Sequence, residues 1–153
     1  MTALLAVQTS RNVFFALLLA FPLFSKAQKW TGNEIINSIS INGLKNHSLL
    51  ITKGYTLERR NAYENEYVYI NDATGLKSTA KTTPSSASFN FPEVTTAKNI
   101  AKELIALDFM KTDEVVTDLS TVVTYLKNEI TVKVTFYYML GSTIEVTRGR
   151  RFK

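Results

Sequence analysis

Residues 130–147 read ITVKVTFYYMLGSTIEVT, and their pattern decides the fold. Val132, Val134, Phe136 and Tyr138 alternate with Thr131, Lys133, Thr135 and Tyr137, the period of two that sends one set to a buried face and the other to water. The alternation breaks at Gly141 and resumes through Ile144 and Val146, so the stretch is a β-hairpin. Its turn follows from parity. A two-residue loop of Gly141 and Ser142 opposes Met139 to Ile144 and Phe136 to Thr147, mixing apolar and polar sets. A three-residue loop of Met139, Leu140 and Gly141, with the glycine left-handed, opposes Phe136 to Ile144 and Val134 to Val146 and keeps one face apolar. The other face then carries Lys133, Thr135 and Tyr137 beside Thr143, Glu145 and Thr147, a surface suited to water or to a polar partner.

Upstream, Thr31 and Glu34 have the form of a capping box and predict a short helix from Gly32 to about Ser38. A second helix, 44–53, ends at Gly54, where helices commonly turn left-handed. Residues 55–59 and 66–71 read as strands, the latter with Tyr67 and Tyr69 on one face and Val68 and Ile70 on the other, a pattern that fits cover on both sides. Residues 71–75 form a turn. The Ser/Thr/Ala/Lys-rich 76–88 around Pro84 is either an edge strand followed by a loop or loop throughout, and 88–91 adds a short strand. Thr95 or Thr96 caps a helix over 97–107, whose Ala97, Ile100, Ala101 and Leu104 share one face and call for a sheet beneath. Residues 109–118 have no decisive pattern, and 119–126 is a strand leading through Lys127, Asn128 and Glu129 to the hairpin.

A weak echo links the halves: LLITKGY (49–55) resembles ELIALDF (103–109), and the same offset of 54 lays 66–70 on 120–124. The fold expected is α+β: an antiparallel sheet of about five to seven strands with two helices packed on one face, and a degenerate internal duplication.

The 153 residues suit one domain. The first 27 contain no acidic residue, place Arg11 ahead of an apolar run over 13–24, and end Ser25-Lys26-Ala27, the small-residue pattern of a secretory signal peptide cut before Gln28. The alternative, a membrane anchor, needs roughly 20 apolar residues, more than this run supplies. The division expected is a leader (1–27), an α+β domain (28–147) and a basic tail (148–153), with the mature chain periplasmic or secreted. The Ala-Gln junction resembles exported proteins of Bacteroidetes-type bacteria. With no cysteine, the domain folds without disulfides and has no thiolate for catalysis or zinc. The formal charge of +5 falls to about +3 once Arg11 and Lys26 leave, and Arg148, Arg150, Arg151 and Lys153 hold most of it. A body of about −1 is no nucleic-acid binder, whose basic residues spread over a face.

Catalytic signatures are sparse. His47 is the single histidine, without partners at zinc-ligand spacing, and no G-x-S-x-G elbow or Gly-rich phosphate loop occurs. Residues 72–75 lack the ladder of a calcium loop, and Asn46-His47-Ser48 fits a glycosylation sequon that a bacterial source leaves silent. Glu64, Glu66 and Asp113 are the candidates for a carboxylate-based hydrolase, which requires two of them across one cleft. Tyrosines populate the strands, where a surface must be both apolar and hydrogen-bonding. The expectation is a non-enzymatic envelope module, an inhibitor or accessory subunit among the options, that needs no cofactor and holds a protein or glycan through Lys133, Thr135 and Tyr137. The tail (Arg148, Arg150, Arg151, Lys153) is either solvated or a weak contact to anionic lipid. A carrier holding an apolar ligand between sheet and helices is the third reading.

Overall fold

A computed structural model describes residues 29–39, 43–139 and 141–149; the expected leader and most of the basic tail fall outside the described residues. Among the described residues three helices, α1 (Gly32–Asn37), α2 (Gly43–Thr52) and α3 (Val94–Ala106), accompany eight strands. These are β1 (Thr56–Arg60), β2 (Asn65–Ile70), β3 (Lys77–Thr82), β4 (Ser86–Phe91), β5 (Met110–Val116), β6 (Ser120–Lys127), β7 (Ile130–Tyr137) and β8 (Gly141–Arg148). They form one open antiparallel sheet in the order β1-β2-β3-β4-β8-β7-β6-β5. The class is α+β, with more strands than the five to seven expected.

The excess comes from two stretches with weak local signal. Residues 77–82 form an interior strand, neither loop nor edge. Its small residues are there for packing: Ala80 lies in register between Tyr67 and Phe89, and all three are buried. A larger side chain at that point would collide with two aromatic neighbours. Residues 110–116 form the edge strand β5, all seven exposed, so no buried face imprints a period on them.

Directly opposed residues share a face. The row Leu57–Tyr67–Ala80–Phe89–Ile144–Val134–Val123–Glu114 crosses all eight strands on the inner face. It joins a core that also holds Trp30, Ile35, Leu50 and Tyr55 and, from α3, Ala97, Ile100, Ala101 and Leu104. α3 approaches β4, β7 and β8, and α2 approaches β1. The capping box of α1 forms as read, with the Thr31 hydroxyl accepting from Glu34 N–H and the Glu34 carboxylate accepting from Thr31 N–H. α3 instead begins at Val94, with Glu93 at its N-cap and no side-chain cap bond, rather than at Thr95 or Thr96.

The terminal hairpin keeps the parity read from its sequence and shifts its register by two residues. Val134 opposes Ile144, Phe136 opposes Ser142, and Gly141 pairs with Tyr137 inside the ladder. The cause is local crowding. Gly141 has φ +90, and a Cβ there would overlap the Phe91 carbonyl oxygen. The glycine is spent on the approach of β4 to β8, and the turn begins at Tyr138.

The register also repeats about a centre. Ser88 of β4 opposes Glu145 of β8. Counting outward, Lys81 corresponds to Lys133, Glu66 to Thr124 and Arg59 to Asp113. Gly54 (φ 84) and Asp108 (φ 62), both left-handed, close α2 and α3. Buried Tyr55 and Phe109 follow, and each edge strand then bulges, between Leu57 and Arg59 and between Lys111 and Asp113. The offset of 54 holds throughout this segment. It fails at the next strand: the pairing sets Tyr67 against Tyr125, an offset of 58, so 66–70 does not fall on 120–124.

Candidate functional site

The face opposite the core is covered by no element among the described residues, and two rows define it. One reads Arg59–Glu66–Lys81–Ser88–Glu145–Lys133–Thr124–Asp113 and alternates charge across the strands. The other, Thr56–Val68–Thr79–Asn90–Thr143–Thr135–Val122–Val115, carries no charge. In its middle Asn90 Nδ2 donates to Thr79 Oγ1 at 2.9 Å, and Thr143 Oγ1 donates to Asn90 Oδ1 at 2.8 Å. Val68, expected to be covered, is half-buried, and Ile70 is exposed.

Lys133, Thr135 and Tyr137 are brought together on this face, at alternate positions of β7. Lys133 and Tyr137 are exposed and Thr135 is half-buried. The comparison with Lys81 distinguishes Lys133 from ordinary surface charge. Lys81 Nζ lies 2.6 Å from Glu66 and 3.8 Å from Glu64. Their hydrogen bond holds the Lys81 ammonium above its ordinary pKa and the Glu66 carboxyl below its own. At the corresponding place β6 offers Thr124 in place of a glutamate, and Lys133 makes no ion pair among the described residues.

The carboxylate candidates fall in two places. Glu64 and Glu66 share Lys81, and Asp113 lies six strands away, roughly 29 Å at the usual spacing. A hydrolase pair needs two carboxyls within about 10 Å with one pKa raised; Glu64 and Glu66 meet that distance across Lys81, but the pairing lowers Glu66 instead of raising it, and Asp113 is out of reach of both. His47 sits on α2 with Nδ1 3.3 Å from the Tyr67 hydroxyl, under a helix rather than in a cleft. Burial pushes the Tyr67 hydroxyl above the usual tyrosine range, against the opposing effects of Thr82 and Arg60. Among the described residues, no group of three His, Asp or Glu could hold a metal ion. No helix among them is long and apolar enough to cross a membrane. Arg148 ends β8 opposite Ile130, so the tail leaves the sheet at the end remote from Tyr137. Arg150, Arg151 and Lys153 lie outside the described residues.

A hollow of about 60 Å³ opens at the Tyr137 end of the sheet, between the β2–β3 turn and the start of α3. That is room for a few waters or the tip of one side chain, well short of the several hundred Å³ that an apolar cargo needs. Sequence reading missed it because residues 69–96 meet there only through the sheet, and no local motif announces that meeting. No protein-family model, curated protein or solved structure matches this chain.

Proposed function

We propose that this chain is an exported, non-enzymatic binding module of the cell envelope, cut before Gln28, that holds a partner through the outer sheet face around Lys133, Thr135 and Tyr137. The observation that carries this reading is the contrast between two corresponding lysines: Lys81 is neutralised by two glutamates, whereas Lys133, on the same strand face as exposed Tyr137, makes no ion pair among the described residues. Tyrosine is a residue type that interfaces favour over other surface, and a lysine without an ion pair can meet an anionic group of a partner. The arrangement descends from a duplicated helix-plus-four-strand unit, with α2 and α3 laid on the inner face. In one copy the row is closed by ion pairs, and in the other it is left open for a partner.

The test is to recover the protein from its host envelope after mild crosslinking and to compare it with a Lys133→Ala/Tyr137→Ala double variant. A stoichiometric partner that is lost with the double variant, while thermal unfolding is unchanged, is the expected result. Equal recovery with both proteins would sink this reading. Mass spectrometry of the same sample reads the N-terminus: Gln28 supports export, and an intact Met1 overturns it.

A further inference from the structure

The end of the sheet at Tyr137 carries two features that the outer face does not explain. The first is the hollow, lined by Tyr69, Asn71, Ser78, Phe91, Glu93 and Thr96 among others. Ser78 is only 6% exposed, yet its hydroxyl lines the hollow and has no hydrogen-bond partner among the described residues. That hydroxyl is open to the hollow, where a donor group of a ligand can reach it. Glu93 stands at the mouth, exposed, spending its carboxylate on neither the helix cap nor an ion pair among the described residues.

The second feature is an apolar corner at the same end. Met139 is 94% exposed, Leu119 78%, Val116 67% and Tyr138 58%. The corner is one built surface: Tyr138 N–H donates to the Leu119 carbonyl at 3.1 Å, and the Tyr138 and Thr121 hydroxyls lie 3.1 Å apart. It is continuous with the hollow, because Gly141 packs on the backbone of Phe91 and Pro92, and Ser142 Oγ donates to the Glu93 carbonyl at 3.0 Å. Roughly 14 Å, three strand spacings, separates hollow from corner. Asp72, Glu93 and Asp118 all sit on the turns at this end with no ion pair among the described residues, alongside two lysines, Lys77 and the Glu34-paired Lys53.

We infer that this end docks a partner protein, which inserts an arginine side chain into the hollow and lays an apolar segment along the corner. The inference rests on the binding-module reading and narrows its partner from protein or glycan to protein. The hollow admits only a side-chain tip, and aliphatic and thioether groups exposed this fully match apolar side chains rather than sugar hydroxyls. A guanidinium stacks on the Tyr69 and Phe91 rings, pairs with Glu93 and donates to Ser78 Oγ. The first turn of α3 favours an anion in the same place, but its half charge is opposed by the full charge of Glu93.

The test titrates N-acetyl-argininamide, and separately acetate, into isotope-labelled mature protein while following backbone amide signals. Argininamide is expected to give saturating shifts at Asn71, Ser78 and Thr96 in the millimolar range. Glu93→Gln should weaken them by about tenfold, the loss of one charge-assisted pair, whereas Lys133→Ala/Tyr137→Ala should leave them unchanged. Absence of saturation, identical shifts in Glu93→Gln, or binding of acetate in place of argininamide would each overturn the inference. That failure is separable from failure of the outer-face reading, which is decided by recovery of the partner with the Lys133/Tyr137 variant. Once the partner is in hand, Glu93→Gln and Met139→Asp must each weaken recovery; an unaffected yield would also overturn the inference.

Discussion

The two four-stranded halves share a path and differ in what fills it. In the first, the inner face is built from rings over small residues: Tyr67 and Phe89 flank Ala80, and Trp30 packs on Phe89 and on Tyr55. In the second, Val123, Val132, Val134, Ile144 and Val146 form a layer of β-branched side chains. The first half lies under α2, and its lysine on the charged row is paired; the second ends in β5, bare on both faces, and its lysine is not. What persists between them is the machinery of chain reversal: the left-handed residue after the helix, the buried aromatic and the bulge. Backbone geometry has few solutions at a helix-to-edge-strand junction, while packing and surface have many, so the halves agree at the junction and differ in their side chains.

The strongest way to break this comparison is at the seam. Gly141→Ala sets a Cβ against the Phe91 carbonyl at a positive φ, and a loss of at least about 4 kcal/mol is expected in urea unfolding. A loss below about 1 kcal/mol would show that β4 and β8 do not meet as described. Next, Phe89→Ala should cost about 3 kcal/mol or more, and Val146→Ala, at the corresponding position, about 2 kcal/mol. Equal losses would remove the distinction between a ring-built and an aliphatic half.

The junctions sharpen the comparison at smaller scale. Gly54→Ala should destabilise by about 1 kcal/mol, and Asp108→Gly should stabilise by up to about 1 kcal/mol, because the two positions need the same left-handed backbone and only one has the residue suited to it. A destabilised Asp108→Gly would deny the equivalence. Tyr67 and Tyr125 are both raised above the usual tyrosine range, first by burial. The unfolded chain therefore loses its phenolic protons first as pH rises. Stability is full below about pH 10 and declines above it. The double Tyr67→Phe/Tyr125→Phe variant should flatten that alkaline decline in chemical unfolding. Smallest of all, Lys133→Ala should leave the unfolding midpoint in place, whereas Lys81→Ala lowers it slightly.

Much of the architecture was legible wherever one face is buried and the other wet. The alternation of 130–147 yields the hairpin and its parity, and Thr31 with Glu34 yields the start of α1, because those signals are local. Its register was not legible: the sequence does not show that Phe91 lies against Gly141 and takes up the glycine that the turn was expected to use. β3 was obscured because Ala80 is chosen by rings on neighbouring strands, and β5 because exposure on both faces erases periodicity. Of the candidate site, Lys133, Thr135 and Tyr137 could be placed on one face by parity alone. That Lys133 lacks a partner depends on Thr124 standing where the other half has Glu66, a comparison only the pairing reveals. The hollow behind Ser78 and Glu93 is wholly tertiary.

The seam between β4 and β8 also sets an order of events for the chain. Six of the seven strand pairings are hairpins between consecutive strands, and each can zip from its own turn. The seventh joins residues more than fifty apart in sequence. Closing a loop about tenfold longer than a hairpin's costs roughly 2 kcal/mol more in chain entropy, so the two meanders assemble first and the seam latches them last. During synthesis the first meander leaves the ribosome with β4 as a bare edge, awaiting β8. At high concentration that edge is where a second chain can enter, exchanging halves in a swapped dimer with the same pairings.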